Sequence, residues 1–155
     1  MDKNITIKVV DNNDIESKHF IADMIQEYSW GKSYPMSALE EVLTAEYVVA
    51  GYNKNNNLVG CGYVHAHASP DGEDNGNLRM GGAIVHPDYR ELGIYSAIYT
   101  KRLSYVLENR GNKRIFSCTD NVIIKQYLKS HGWQYLRTTK DDAGDACFVY
   151  EYIKE

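Results

Sequence analysis

The stretch from Gly81 to Ser96, GGAIVHPDYRELGIYS, constrains this chain more than any other. An apolar run, Ala83-Ile84-Val85, is cut by Pro87, and the chain then passes through Arg90-Glu91-Leu92-Gly93-Ile94-Tyr95 into a long helical pattern. That order reads as a buried strand, a sharp turn and a helix N-terminus. The first amides of a helix have no intrahelical partner. The positive end of its dipole points the same way, so a strand that delivers the chain there builds a site suited to an anion. Arg90 adds a fixed charge, and Gly93 permits close approach of backbone and ligand. The same pattern also serves an ordinary strand–helix connection, and the residues alone leave both readings open.

Around this stretch the periodicities predict a mixed α/β chain. Ile5 to Val10 reads as a first strand. Asn13 and Glu16 have capping-box spacing before a helix with Phe20, Ile21, Met24, Ile25 and Tyr28 on one face. Gly31 and Pro35 break that helix. A second begins near Ser37, with Glu40 in capping position and Leu39, Val42 and Leu43 inward. Glu46 to Tyr52 and Leu58 to Ala68 form a hairpin around a five-residue polar turn. On its second strand Cys61, Tyr63, His65 and His67 share one face. Leu78 to Val85 is the central strand, where Gly81-Gly82 suggests a bulge or a closely pressed ligand. A helix from about Arg90 to Arg110 follows, with Ile94, Ala97, Ile98, Tyr105 and Val106 inward and Gly111 beyond its end. Arg114 to Cys118 is a short buried strand. Asp120-Asn121 caps a last helix ending at His131-Gly132, and two strands, Trp133 to Arg137 and Cys147 to Ile153, close the chain.

At 155 residues, all of it from 1 to 155 reads as a single domain. The net charge of −4, with no basic block, argues against nucleic acid as a partner. No segment reads as a signal peptide or as able to span a bilayer, so no membrane role is expected. Cys61, Cys118 and Cys147 sit in strand-like apolar settings without metal spacing. They read as buried thiols in a reducing cytoplasm. A Cys–His hydrolase would need Cys118 or Cys61 beside a histidine, and no nucleophile turn surrounds either one. His65-x-His67 has ligand-like spacing but no evident third and fourth ligands, so no metal is expected.

Val85-x-Pro87 followed by Arg90-x-x-Gly93-x-Tyr95 resembles motif A of the GNAT superfamily of acyl-CoA N-acyltransferases, whose signature is R/Q-x-x-G-x-G/A. Tyr95 departs from the usual Gly or Ala. Its amide can still meet an anion, but its ring must then point away from the phosphates. Asn121 with Gly132-Trp133 is similar to the family's N-x(10)-G-F, Trp133 standing for Phe. The element order also resembles the GNAT fold along the whole chain: a mixed, mostly antiparallel sheet with one central parallel strand pair, flanked by helices.

The resemblance implies acetyl-CoA as co-substrate and direct attack by an amine of a small molecule or peptide, without an acyl-enzyme. Arg90, Glu91, Leu92, Gly93, Ile94, Tyr95 and Ser96 would take the pyrophosphate, Ile84 and Val85 the pantetheine arm and carbonyl, and Asn121 the pantetheine side. Asn121 can equally be a plain helix cap. Many members use a glutamate on the central strand as base; Leu78 to Val85 contains no carboxylate. His65 and His67 are the candidate replacements, an imidazole near pKa ~6.5 suiting the task. The family's tyrosine acid, four residues before the motif glycine, falls on Leu128, with Tyr127 the only nearby phenol. A non-catalytic acyl-CoA sensor would keep the same cofactor site, and a homodimer is compatible with the sequence.

Overall fold

In a computed structural model, residues 4–31, 33–66 and 70–154 are described. Among them the chain runs β1 (Thr6–Val9), α1 (Ile15–Ile25), α2 (Ala38–Thr44), β2 (Tyr47–Tyr52), β3 (Leu58–His65), β4 (Leu78–Val85), α3 (Ile94–Asn109), β5 (Ile115–Thr119), α4 (Val122–Ser130), β6 (Trp133–Lys140) and β7 (Ala146–Tyr152). The strands form one sheet in the order β1-β2-β3-β4-β5-β7-β6. Every neighbouring pair is antiparallel except β4 and β5, the expected parallel pair.

Each face of the sheet is covered because its strands are apolar on both sides. On one face α1 and α2 bury Ile21, Ile25 and Val42 against Val48, Cys61 and Tyr63. On the other, α3 lays Ile94, Ile98 and Val106 against the sheet, and α4 adds Leu128. Gly51 and Gly60 let α3 come this close. A Cβ on Gly60 would stand 3.1 Å from Ile94 and 3.2 Å from Ile98.

Several local expectations shift. Asp14, not Asn13, caps α1, its carboxylate accepting from the Ser17 amide at 3.0 Å. Beyond Ile25 the chain widens into a π-helical turn, Gln26–Trp30, which rotates Tyr28 away from the inner stripe. Phe20, Tyr28 and Leu43 are exposed rather than inward. The hairpin's second strand ends at His65, and His67 lies outside the described residues. Cys118 and Cys147 are joined as a disulfide where separate thiols were expected. Strands β5 and β7 lie side by side and bring their Cα atoms to 6.0 Å, within disulfide reach. Cys61 remains a free, buried thiol, its pKa pushed up to about 12 by burial. No helix among the described residues is long and apolar enough to cross a membrane.

Candidate active site

The parallel pairing of β4 and β5 is brief. It joins Leu78 to Ile115 and Arg79 to Phe116, after which the two strands part. On its other edge β4 carries a bulge: Cys61 faces Ile84 and Tyr63 faces Gly81, leaving an extra residue on β4. Gly82 takes a left-handed φ of 62° there, which only glycine adopts at little cost. Bulge and parting together open a cavity of about 100 Å³, lined by Met80 to Ala83 on one side and Ser117 to Thr119 on the other. Tyr95, Tyr99 and Arg102 of α3, and Leu128 of α4, close it behind the sheet.

The N-terminus of α3 opens beside this gap and differs from the other helix starts. Asp14, Ser37 and Asn121 cap α1, α2 and α4 with side-chain oxygens. Gly93, the N-cap of α3, has no side chain to offer and sits in the left-handed region at φ 81°. Glu91, two residues earlier, is left-handed too, at φ 66°. No side-chain oxygen therefore caps the first amides of this sixteen-residue helix. Free donors at the positive end of a helix dipole suit a phosphate.

The Acetyltransferase (GNAT) family profile matches residues 17–133. The chain belongs to the GNAT acetyltransferase family. Solved structures agree on the fold: Escherichia coli ElaA at TM-score 0.74 and 13% identity, covering 96% of this chain and 99% of that one. An acyl-CoA N-acyltransferase from Pseudomonas aeruginosa superimposes at TM-score 0.73 and 10% identity, over 96% and 99%. A chimera of the spermidine N-acetyltransferase SpeG from Vibrio cholerae and hSSAT follows at 0.65 and 13%, over 97% and 96%. No curated protein matches by sequence.

Within this GNAT frame the motif residues separate. Arg90 turns back on the strand, its Nε donating to the Val85 carbonyl at 3.1 Å, so it fixes the loop as well as charging it. The helix starts at Ile94 rather than near Arg90, because the left-handed residues 91 and 93 cannot continue a helix. Leu92 is exposed and Ile94 buried. Ile84 and Val85 lie past the bulge, outside the cavity lining; Val85 packs in the core beneath α3. The Tyr95 ring lines the cavity, edge-on to Tyr127 at 5.0 Å. Asn121 caps α4, its oxygen accepting from the amides of Ile123 and Ile124 at 2.9 and 3.1 Å.

On α4 it is Leu128 that faces the cavity, buried at 2% exposure. Tyr127 is half-buried and packs edge-on against Tyr95 and Tyr99 at 5.0 and 5.1 Å. Its hydroxyl donates to Ser96 Oγ at 3.0 Å and its ring stacks on His131 at 3.9 Å. Tyr127→Phe is therefore expected to keep kcat within about tenfold, or ~1.4 kcal/mol of barrier. A hundredfold loss in a stable variant with normal CoA binding would make Tyr127 the acid.

His65 lies on the α1–α2 face, away from the cavity lining. Its Nε2 is 3.3 Å from Glu41 Oε2 and 2.8 Å from Thr44 Oγ1. Glu41 Oε2 also accepts from Arg79 Nη2 at 3.2 Å, and Arg79 reaches the Tyr63 hydroxyl at 3.4 Å. Burial pushes the Tyr63 phenol up to about 12, with Arg79 opposing. The Tyr63 ring lies against Gly81 and Gly82, so a buried polar chain runs from His65 to the wall of the cavity. Glu41, Tyr63 and Arg102 were not among the sequence candidates. The one available signal was Arg79, a charge inside an apolar strand, which calls for a buried partner.

Proposed function

We propose that the protein transfers an acetyl group from acetyl-CoA to an amine by direct attack on the thioester, with no acyl-enzyme. The uncapped N-terminus of α3, opening beside the gap between β4 and β5, carries this reading. Residues Arg90 to Ser96 hold the pyrophosphate with their backbone amides. The edge of β4 freed beyond Arg79 meets the pantetheine arm, with Ile84 and Val85 continuing it. Asn121 supports the pantetheine side by fixing the start of α4.

The acceptor is a small-molecule or peptide amine. A lysine-like amine near pKa ~10.4 costs about 4–5 kcal/mol to deprotonate at pH 7, an α-amine near ~8 roughly 1–1.4. The spermidine N-acetyltransferase among the structural neighbours makes a polyamine a reasonable member of any acceptor panel. The loop between β6 and β7 brings Asp141 and Asp142 beside Tyr34, whose hydroxyl accepts from the Asp142 amide at 3.2 Å. That acidic edge suits a cation.

Water takes the amine's proton, and His65 assists only through the charges of Glu41 and Arg79 beside Tyr63, without touching the amine. Direct general-base catalysis contributes about 10²–10⁴-fold, so an indirect role is expected to contribute about tenfold. His65→Asn should lose that factor in kcat/KM and alter the pH profile. Identical profiles from pH 6 to 9 would leave water to take the proton without help from His65. Acetyl-CoA with a panel of amines, and free thiol followed with DTNB, tests the whole reading. CoA binding without thiol release for any amine would mean a sensor instead.

A further inference from the structure

The cavity carries a charge that an acetyl donor leaves unused. Arg102 sits on the inward stripe of α3 at 2% exposure. Its Nη1 donates to the carbonyls of Tyr63 and Gly81 at 3.3 and 3.2 Å. Its Nε has no acceptor. Among the described residues no carboxylate pairs with it; burial lowers its pKa, and the groups opposing this are phenols and the Cys61 thiol. The chain makes room for it: a Cβ on Gly62 would stand 2.8 Å from the guanidinium. A buried cation is ordinarily matched by an anion, because leaving it alone forfeits hydration without return.

The rest of the lining asks for the same thing. Arg102 is the only charged residue lining the cavity among those described, and no acid faces it there. Tyr99 accepts from Trp133 Nε1 at 2.8 Å, which leaves its own hydroxyl proton to donate. Ser117, on β5, adds another hydroxyl from the facing wall. Arg102 and Tyr99 of α3 and Ser117 of β5 thus all line the cavity. They lie on the side of the sheet covered by α3 and α4, where the phosphate-binding N-terminus also lies.

We infer that Arg102 receives a carboxylate carried by a bound substrate, first of all on the acyl group, so that the donor is a CoA monothioester of a short dicarboxylic acid. An amino-acid acceptor is the other source of the same group. The inference rests on the acyltransferase reading and changes only its substrate. The new N–C bond still forms as the C–S bond breaks, the thiolate takes the electron pair, and the amine's proton is released. The carboxylate and Arg102 keep their charges throughout.

The test compares succinyl-CoA and malonyl-CoA with the neutral donors butyryl-CoA and acetyl-CoA, each offered alanine and ethylamine as acceptors. A charge-assisted pair supports a preference of about tenfold or more in kcat/KM for succinyl-CoA over butyryl-CoA. That ratio should fall to near parity in Arg102→Met and partly persist in Arg102→Lys. Preference for alanine over ethylamine, lost in the same variants, would support the inference with the acceptor as source. Parity in both comparisons with the wild-type protein overturns it even if neither variant folds. A preference that survives Arg102→Met overturns it as well. Should CoA itself fail to raise the melting temperature, the acyltransferase reading falls first. If CoA binds and no carboxylate matters, only this inference falls.

Discussion

Gly93→Val is expected to remove half or more of the rise in melting temperature that CoA produces, in a protein that otherwise stays folded. Gly93 holds φ 81° and ψ 7° immediately before the first turn of α3. An L-residue pays roughly 1–2 kcal/mol in that region, and a β-branched one sits at the upper end or beyond. Either the loop keeps its shape at that cost or it moves, and movement re-aims the amides proposed to meet the pyrophosphate. At a hundredfold excess over Kd a ligand stabilises by about 2.7 kcal/mol. In a domain of this size each kcal/mol shifts Tm by roughly 2–4 °C, so CoA should give the wild type roughly 5–10 °C. A tenfold weaker Kd subtracts about 1.4 kcal/mol, about half of that gain. Thermal shifts with and without CoA, alongside calorimetric Kd values, measure this directly, with Gly93→Ala as a graded control. Wild-type affinity in a folded Gly93→Val variant would take this loop out of the CoA site.

The loop illustrates what a sequence of this kind discloses. Pro87, Gly93 and the apolar run before them marked a strand, a turn and a helix start, and β4 and its parallel pair with β5 are where that pattern put them. The start of α3 was read four residues early, because two left-handed residues leave no trace in hydrophobic periodicity. One-residue slips have the same origin. Asn13 and Asp14 are both good caps, and only backbone geometry decides that Asp14 does the capping. Tyr28 fell outside its stripe for a different reason. Its apolar spacing assumed 3.6 residues per turn, and the π-helical turn from Gln26 to Trp30 does not keep that period.

The candidate site was legible only where it is local. Gly93 and the motif around it lie on one continuous stretch, and Leu128, rather than Tyr127, occupies the cavity-facing position that the spacing to Gly132 implied. The polar chain through Glu41, His65, Arg79 and Tyr63 joins α2 to β3 and β4, and no spacing rule links residues so far apart. Arg102 was hidden by its own chemistry. It follows Ile98 by four residues on the inner stripe of α3, yet a charged residue at such a position reads as solvent-facing. The disulfide between Cys118 and Cys147 depends likewise on which strands become neighbours, a property of the sheet order rather than of either segment.

Gly82→Ala should be strongly destabilising for a change of a single methyl group. The added Cβ would stand 2.2 Å from Tyr63 Cε2 and 2.5 Å from its Cδ2, with Ile25 Cδ1 at 3.1 Å behind. Tyr63 is 1% exposed and its hydroxyl is engaged by Arg79, so the ring cannot swing aside. The backbone at φ 62° adds a second penalty for any side chain. Overpacking costs about 1–3 kcal/mol and left-handed strain about 1–2, so the sum is about 2–5 kcal/mol. For a chain of this size that corresponds to a fall in Tm of roughly 4–20 °C. The bulge also forms one wall of the cavity, so kcat should fall more than the folded fraction does. Shrinking the ring separates the two penalties: Gly82→Ala combined with Tyr63→Leu relieves the collision but not the backbone strain. The pair should therefore be less unstable than the sum of its single variants, a coupling of about 1–3 kcal/mol for residues in contact. Additive effects would mean that the ring and Gly82 do not touch. A Tm within 2 °C of wild type for Gly82→Ala would mean that β4 carries its bulge elsewhere, and the opening between β4 and β5 would then need another cause.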